Sequence, residues 1–226
     1  SGATFGEFPI NKLVGEIYKS GQFHFWNPYK ALGEPVPEQL GTAVFFPYQI
    51  LEDLAPVSTW DYFYLGRLLI AGYFTFLFLR LLKVSKVGSL LGGIIYMFSG
   101  NFTWFINNEH IVNPAMMLPV ILWSLEGLLQ NLSPRYLVFL VFSLALILVS
   151  APPGATLFAL LLVFIFCLFR IISGHFLKSR RMLFLVFVLI TTIGLIAPLL
   201  LPSLDFFKEA FTLREGSGLA SVSPVN

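Results

Sequence analysis

Apolar residues in this chain come in long continuous runs, not at the 3.6-residue spacing of a soluble helix or the alternation of a strand. From residue 60 onward these runs approach the ~20 residues that a helix needs to cross a hydrocarbon core. They predict about six transmembrane helices, over 60–82, 87–106, 111–130, 136–150, 155–173 and 182–204. The stretch from Tyr136 to Ile172 is too long for one span, and Pro152-Pro153-Gly154 predicts a turn that makes it a hairpin. Trp60, Trp104 and Trp123 fall near expected helix ends, where aromatic belts form.

Residues 1–59 read differently. Pro9, Pro28, Pro35, Pro37, Pro47 and Pro56 punctuate a segment too polar to span and too aromatic to be disordered. Ile10, Leu13, Val14, Ile17 and Tyr18 repeat at helical spacing, and Ser20-Gly21 marks a helix end. An amphipathic helix so near a span is expected to lie flat at the membrane interface. The expected organisation is an extracytoplasmic loop over 1–59, a bundle over 60–204 and the start of a second extracytoplasmic segment over 205–226. With no initiator Met, the chain reads as a fragment of a longer protein cut at both ends. The fold class is all-α, a polytopic transmembrane helical bundle.

Composition supports this and charge orients it. Mean hydropathy is +0.81, with 57% apolar and only 12% charged residues, against roughly a quarter charged in soluble domains. With residues 1–59 outside the cytoplasm, the inner loops and flanks collect Arg80, Lys83, Lys86, Arg135, Arg170, Lys178, Arg180 and Arg181. Enrichment of Lys and Arg on the cytoplasmic side is the topological rule. Every acid except Glu126 then falls outside. These basic flanks are accounted for by topology, which leaves no case for nucleic-acid binding. Cys167 is the single cysteine, so a disulfide framework is excluded.

Some polar residues call for a reason. Arg67 lies about 10 Å inside the first span at 1.5 Å per residue, where a charge marks a functional site or a buried partner. It can bind a phosphate outside, snorkel to headgroups, or pair with Asp61 or an outer-loop acid. Asn107-Asn108-Glu109-His110 reads as a short outer turn that gathers an acid, an imidazole and two amides. Glu beside His can serve as acid and base or as metal ligands; a polar turn is also what topology alone requires. Glu7, Glu16, Glu34, Glu38, Glu52 and Asp53 populate the first segment and are expected to be solvated, Glu34 and Glu38 flanking the stiff Pro35-Val36-Pro37. No phosphate loop, zinc-binding His pair, Cys pair or nucleophile elbow is present.

The stretch Gly21-Gln22-Phe23-His24-Phe25-Trp26-Asn27-Pro28-Tyr29, then Gly33-Glu34-Pro35 and Phe45-Phe46-Pro47, resembles the first external loop of the YfhO family. These are bacterial membrane proteins related to the GT-C glycosyltransferases. The resemblance continues at Tyr96-Met97-Phe98-Ser99-Gly100, His110, Leu118-Pro119, Leu200-Leu201-Pro202-Ser203-Leu204 and Arg214. It implies a GT-C-like, multi-pass protein of the bacterial cytoplasmic membrane. Such an enzyme moves a sugar from a polyprenyl-phosphate carrier to a cell-surface glycan or wall polymer, with inversion and a carboxylate general base. The resemblance expects an acid a few residues before a Phe/Tyr-Pro pair. Phe8-Pro9 fills the pair, Ser1 to Gly6 hold no acid, and either Glu7, the only early acid, serves or the base lies upstream of Ser1. Glu109 and His110 are further acid/base candidates. Trp26 and Tyr29 can stack on sugar faces, Asn27 and Glu34 can bond hydroxyls, and Lys30, Arg67 and Arg214 can neutralise the departing phosphate. Some GT-C enzymes use a divalent metal, although no ligand set is visible here. The alternatives are a transporter or lipid flippase, which calls for broken helices or mid-membrane charges, and a non-catalytic membrane scaffold with a GT-C-like fold.

Overall fold

The computed structural model describes residues 7–21, 26–27, 34–35, 43–105, 108–173 and 179–219; the side chains of Glu7, of 26–27, 34–35 and 179–180, of Pro202 and of 205–219 lie outside that description. The described elements are helical apart from one two-residue antiparallel pairing, β1 (Trp26–Asn27) with β2 (Glu34–Pro35), in the register Trp26 to Pro35. The helices are α1 (Glu7–Ser20), α2 (Pro47–Leu54), α3 (Trp60–Leu81), α4 (Lys86–Met97), α5 (Gly100–Thr103), α6 (Glu109–Asn131), α7 (Pro134–Leu148), α8 (Pro153–Ile172) and α9 (Ser179–Leu219).

Local chemistry sets many of the boundaries. Helices α2, α7 and α8 each begin with Pro at the first turn, where its fixed φ suits the helix and its missing N–H costs nothing. The Ser85 hydroxyl caps α4 by accepting from the Gly88 amide at 3.1 Å. Helix α1 ends at Gly21, which takes φ 68°, as Ser20-Gly21 predicts. The Pro152-Pro153 pair divides α7 from α8, also as predicted.

Among the described residues four stretches are long and apolar enough to cross a membrane: Val57–Leu81, Glu109–Asn131, Pro153–Ile172 and Arg181–Leu201. The other two expected spans are corrected. Helix α4 has 12 residues, about 18 Å at the helical rise, and breaks at Phe98-Ser99 before the single turn of α5. Helix α7 has 15 residues and stops short of the prolines, which disfavour helical backbone in the residue before them. Both fall below the ~30 Å of a hydrocarbon core. Helix α9, by contrast, continues without interruption past the expected 204/205 boundary, to Leu219.

Helix α6 is the axis of the bundle. It packs against α3, α7 and α8; α3 also packs on α4, and α9 on α7. In its most apolar window α6 is 83% buried by protein, against 17% for α8 and α9, yet its mean hydropathy is 1.4 against their 2.7. The inversion has a physical reason: a helix wrapped by other helices finds partners for Asn113, Ser124 and Glu126, whereas a helix facing hydrocarbon cannot carry such groups. The same wrapping corrects the aromatic-belt reading of Trp123, which is buried between Phe74, Tyr136 and Phe139, with Arg135 stacked over its ring at 5.6 Å.

The apolar face of α1 meets protein. Val14 is fully buried against Val44, with Ile10, Tyr18 and Phe45 packed around them, and the whole helix rides on α2. The expectation that this face lies on lipid is therefore corrected: it is covered by residues 43–54.

Candidate functional site

Helix α2 carries its polar residues inward. Gln49, Glu52 and Asp53 are three and four residues apart and so share one face. All three are buried, while Leu51 on the opposite side is 59% exposed. Two glycines make room for this arrangement. A Cβ on Gly66 would sit 2.1 Å from the Tyr48 hydroxyl, so the bare position lets that ring lie against α3, where Tyr48 donates to the Phe63 carbonyl at 2.7 Å. On the other side, a Cβ on Gly15 would lie 2.1 Å from the Asp53 carbonyl oxygen, so α1 presses directly on α2.

Arg67 projects from α3 into the pocket so formed and is 1% exposed. Its Nε donates to Asn113 Oδ1 at 2.8 Å and its Nη2 to Gln49 Oε1 at 2.8 Å, while Nη2 also forms a salt bridge with Glu52 Oε2. The Tyr48 ring lies beneath the guanidinium, 5.0 Å from its centroid. Asn113 in turn donates to the Ser150 carbonyl at 3.3 Å, which ties the α7–α8 turn to the same network. Of the partners the sequence leaves open for Arg67, an acid of the first segment, Glu52, is the one found; Asp61 is exposed.

Asp53 lies beside this network and differs from it. Gln49 Nε2 donates to its Oδ1 at 2.9 Å, but its buried Oδ2 has no hydrogen-bond partner among the described residues. Burial pushes its carboxyl up to about 8; Glu109 and Glu52 add to the rise, while the Gln49 bond and Arg67 oppose it. The neutral form is thus favoured at pH 7. Nearby Tyr18, whose hydroxyl donates to the Val44 carbonyl at 2.6 Å, is raised to about 12 by burial and by Asp53.

Glu109 and His110 occupy the first turn of α6, not a free turn, which corrects the sequence expectation. There the positive end of the helix dipole favours the Glu109 carboxylate, and Asn11 of α1 donates to its Oε2. Among the described residues the site therefore brings Glu52 onto the Arg67 guanidinium and Asp53 beside that pair, with Glu109 close enough to raise the Asp53 carboxyl further. Glu52 and Asp53, expected to be solvated, are buried. Gln49, Asn113 and Asn11 were not singled out from sequence, although the shared face of Gln49, Glu52 and Asp53 is a signal that could have been read.

The remaining candidates are not brought into this cluster by any described side chain. Glu7 opens α1, Trp26, Asn27 and Glu34 belong to the β1–β2 pairing, and Arg214 lies on α9, all with side chains outside the description. Tyr29 and Lys30 lie outside the described residues altogether. Among the described residues no group of three or more His, Cys, Asp or Glu could hold a metal ion. Next to Ser150, an apolar groove of about 490 Å³ runs between α7, α8 and α9, lined by Leu148, Val149, Leu157, Leu199 and Leu204 among others. Comparison with family models, with curated proteins and with solved structures finds no match to this chain.

Proposed function

We propose that this chain is a membrane glycosyltransferase of the GT-C kind, moving a sugar from a polyprenyl-phosphate carrier to an acceptor outside the cytoplasm. The sequence resemblance supplies the family, and one structural observation carries the reading: a carboxylate-rich cluster lies where the N-terminal segment meets the spanning helices. In this reading Glu109, with His110 beside it, takes the proton from the acceptor hydroxyl as the sugar inverts. Asn11 positions the Glu109 carboxylate. Arg67, engaged by Glu52, Gln49 and Asn113, holds the cluster together, and neutralising the departing phosphate falls to Lys30 or Arg214. The apolar groove beside Ser150 offers a path for the hydrocarbon tail of the donor.

The test is transfer of labelled sugar from polyprenyl-phosphate donors by membranes carrying the full-length protein. Glu109→Gln is expected to lower the rate by about 10²–10⁴-fold, the usual contribution of a general base, with the amount of folded protein unchanged. Full activity in both Glu109→Gln and His110→Ala would refute this base assignment. The break between α4 and α5 favours a second reading as a transporter or flippase, since interrupted helices line transport sites. Movement of a lipid-linked sugar across vesicles without transfer would decide for it.

A further inference from the structure

Helices α1 and α2 touch, yet their polarities are opposite. In α1 the apolar residue Val14 is buried, while Lys12, Glu16 and Lys19 are exposed. This is the pattern of a helix with water on its outer side. In α2 the burial is reversed: Gln49, Glu52 and Asp53 face the protein, and Leu51 and Leu54 are 59% and 37% exposed. In water such a helix would gain by turning over, because its exposed leucines forgo the burial that an apolar face seeks. The Arg67–Glu52 and Gln49–Asp53 bonds hold the polar face inward.

The outward leucines also do not stand alone. Three residues beyond Leu54 the exposed Val57 opens the stretch long enough to cross a membrane. Past the exposed Ser58 and Asp61 it presents Tyr62, Leu65 and Leu69 as the exposed stripe of α3. That stripe belongs to a helix long and apolar enough to cross a membrane. An apolar surface that is continuous with such a helix meets the same solvent that the helix does.

We infer that the outer face of α2 is immersed in lipid acyl chains, and that the boundary between hydrocarbon and water passes between α2 and α1. The partner of this surface is the bilayer. The boundary places Glu52, Asp53 and Arg67 just beneath the polar interface, screened from water by α1 and from hydrocarbon by α2's own backbone and leucines. The inference stands on exposure pattern and continuity, independently of the proposed chemistry.

The experiment is site-directed spin labelling of the full chain carrying Cys167→Ser, in vesicles of phosphatidylcholine and phosphatidylglycerol. Single Leu51→Cys, Leu54→Cys, Leu65→Cys, Lys12→Cys and Lys19→Cys variants are labelled and their power saturation is read with dissolved oxygen and with a water-soluble nickel chelate. Labels at positions 51 and 54 are expected to match position 65, with high oxygen and low nickel accessibility, and labels at 12 and 19 to show the reverse. Nickel accessibility at 51 and 54 equal to that at 12 would overturn the inference. Protection from both reagents there would overturn it as well, because another part of the protein would then cover the face. Should the labelled variants fold poorly, Leu51→Lys supplies a second reading. Its thermal midpoint in vesicles falls well below wild type if the face meets hydrocarbon, and an unchanged midpoint counts against it.

Discussion

Two buried charged groups hold this bundle, one at each end of α6, and they are built on different plans. Near the far end, Glu126 of α6 pairs with Arg170 of α8, and Gln130 bridges Glu126 Oε1 at 2.7 Å to the Leu81 carbonyl at 3.1 Å. The acid there is met directly by a base, although Glu126 Oε2 is buried without a hydrogen-bond partner among the described residues. At the α2 end, Arg67 is met by Glu52, and burial keeps the neighbouring Asp53 neutral. The first is a paired tie between helices. The second has beside its ion pair a titratable carboxyl raised to about 8, and shifted groups of this kind cluster at functional sites. The contrast therefore separates a structural tie from a candidate working site without appeal to where either lies.

This contrast can be broken by substitution. Arg67→Met should have the largest effect on stability, about 3–5 kcal/mol lost, because it strands Glu52 uncompensated in the interior. Thermal unfolding in detergent would show it, and adding Glu52→Gln should recover much of the loss. Equal losses in the single and double variants would mean that Arg67 acts through packing alone. Asp53→Asn comes next and has the opposite sign. The folded carboxyl is raised from its ordinary 3.8 to about 8, so the wild-type protein loses stability as pH climbs through that interval. The variant, which keeps an acceptor for Gln49, should unfold at a higher temperature than wild type at pH 9 and at the same temperature below pH 4. No dependence of that gap on pH would refute the raised Asp53 carboxyl. Arg170→Met strands the fully buried Glu126 and should cost somewhat less than Arg67→Met, about 3 kcal/mol, because Gln130 still donates to Glu126 Oε1. An unchanged thermal midpoint would mean that the Glu126–Arg170 pair does not tie α6 to α8.

Hydrophobic runs located the long helices α3, α6, α8 and α9 because crossing a membrane imposes a minimum apolar length that sequence displays directly. The same runs did not reveal that α4 breaks or that α7 is short, since an apolar residue at a helix end reads like one in its middle. Nor did hydropathy identify the central helix. It pointed away from α6, whose Asn113 and Glu126 lower its score, although those residues are tolerated because other helices surround them.

The candidate site was legible only in part. Arg67 announced itself by its depth, and Glu109-His110 by composition. The partners were not readable, because they come from elements brought together only by packing: Asn11 and Glu109 are 98 residues apart in the chain. Glu52 and Asp53 looked like any other acids in a polar segment, and their burial depends on the close approach of α1 at Gly15 and on the Arg67 bond to Glu52.

What the sequence by itself determined, then, is the material of the bundle: where apolar length permits a span, where proline or glycine ends a helix, and which end collects the basic residues. Tertiary structure alone decided which charges were buried and which way α2 faces. Hydrophobicity is a property of each residue and survives in any local window, whereas the cost of a buried charge depends on partners that distant segments supply.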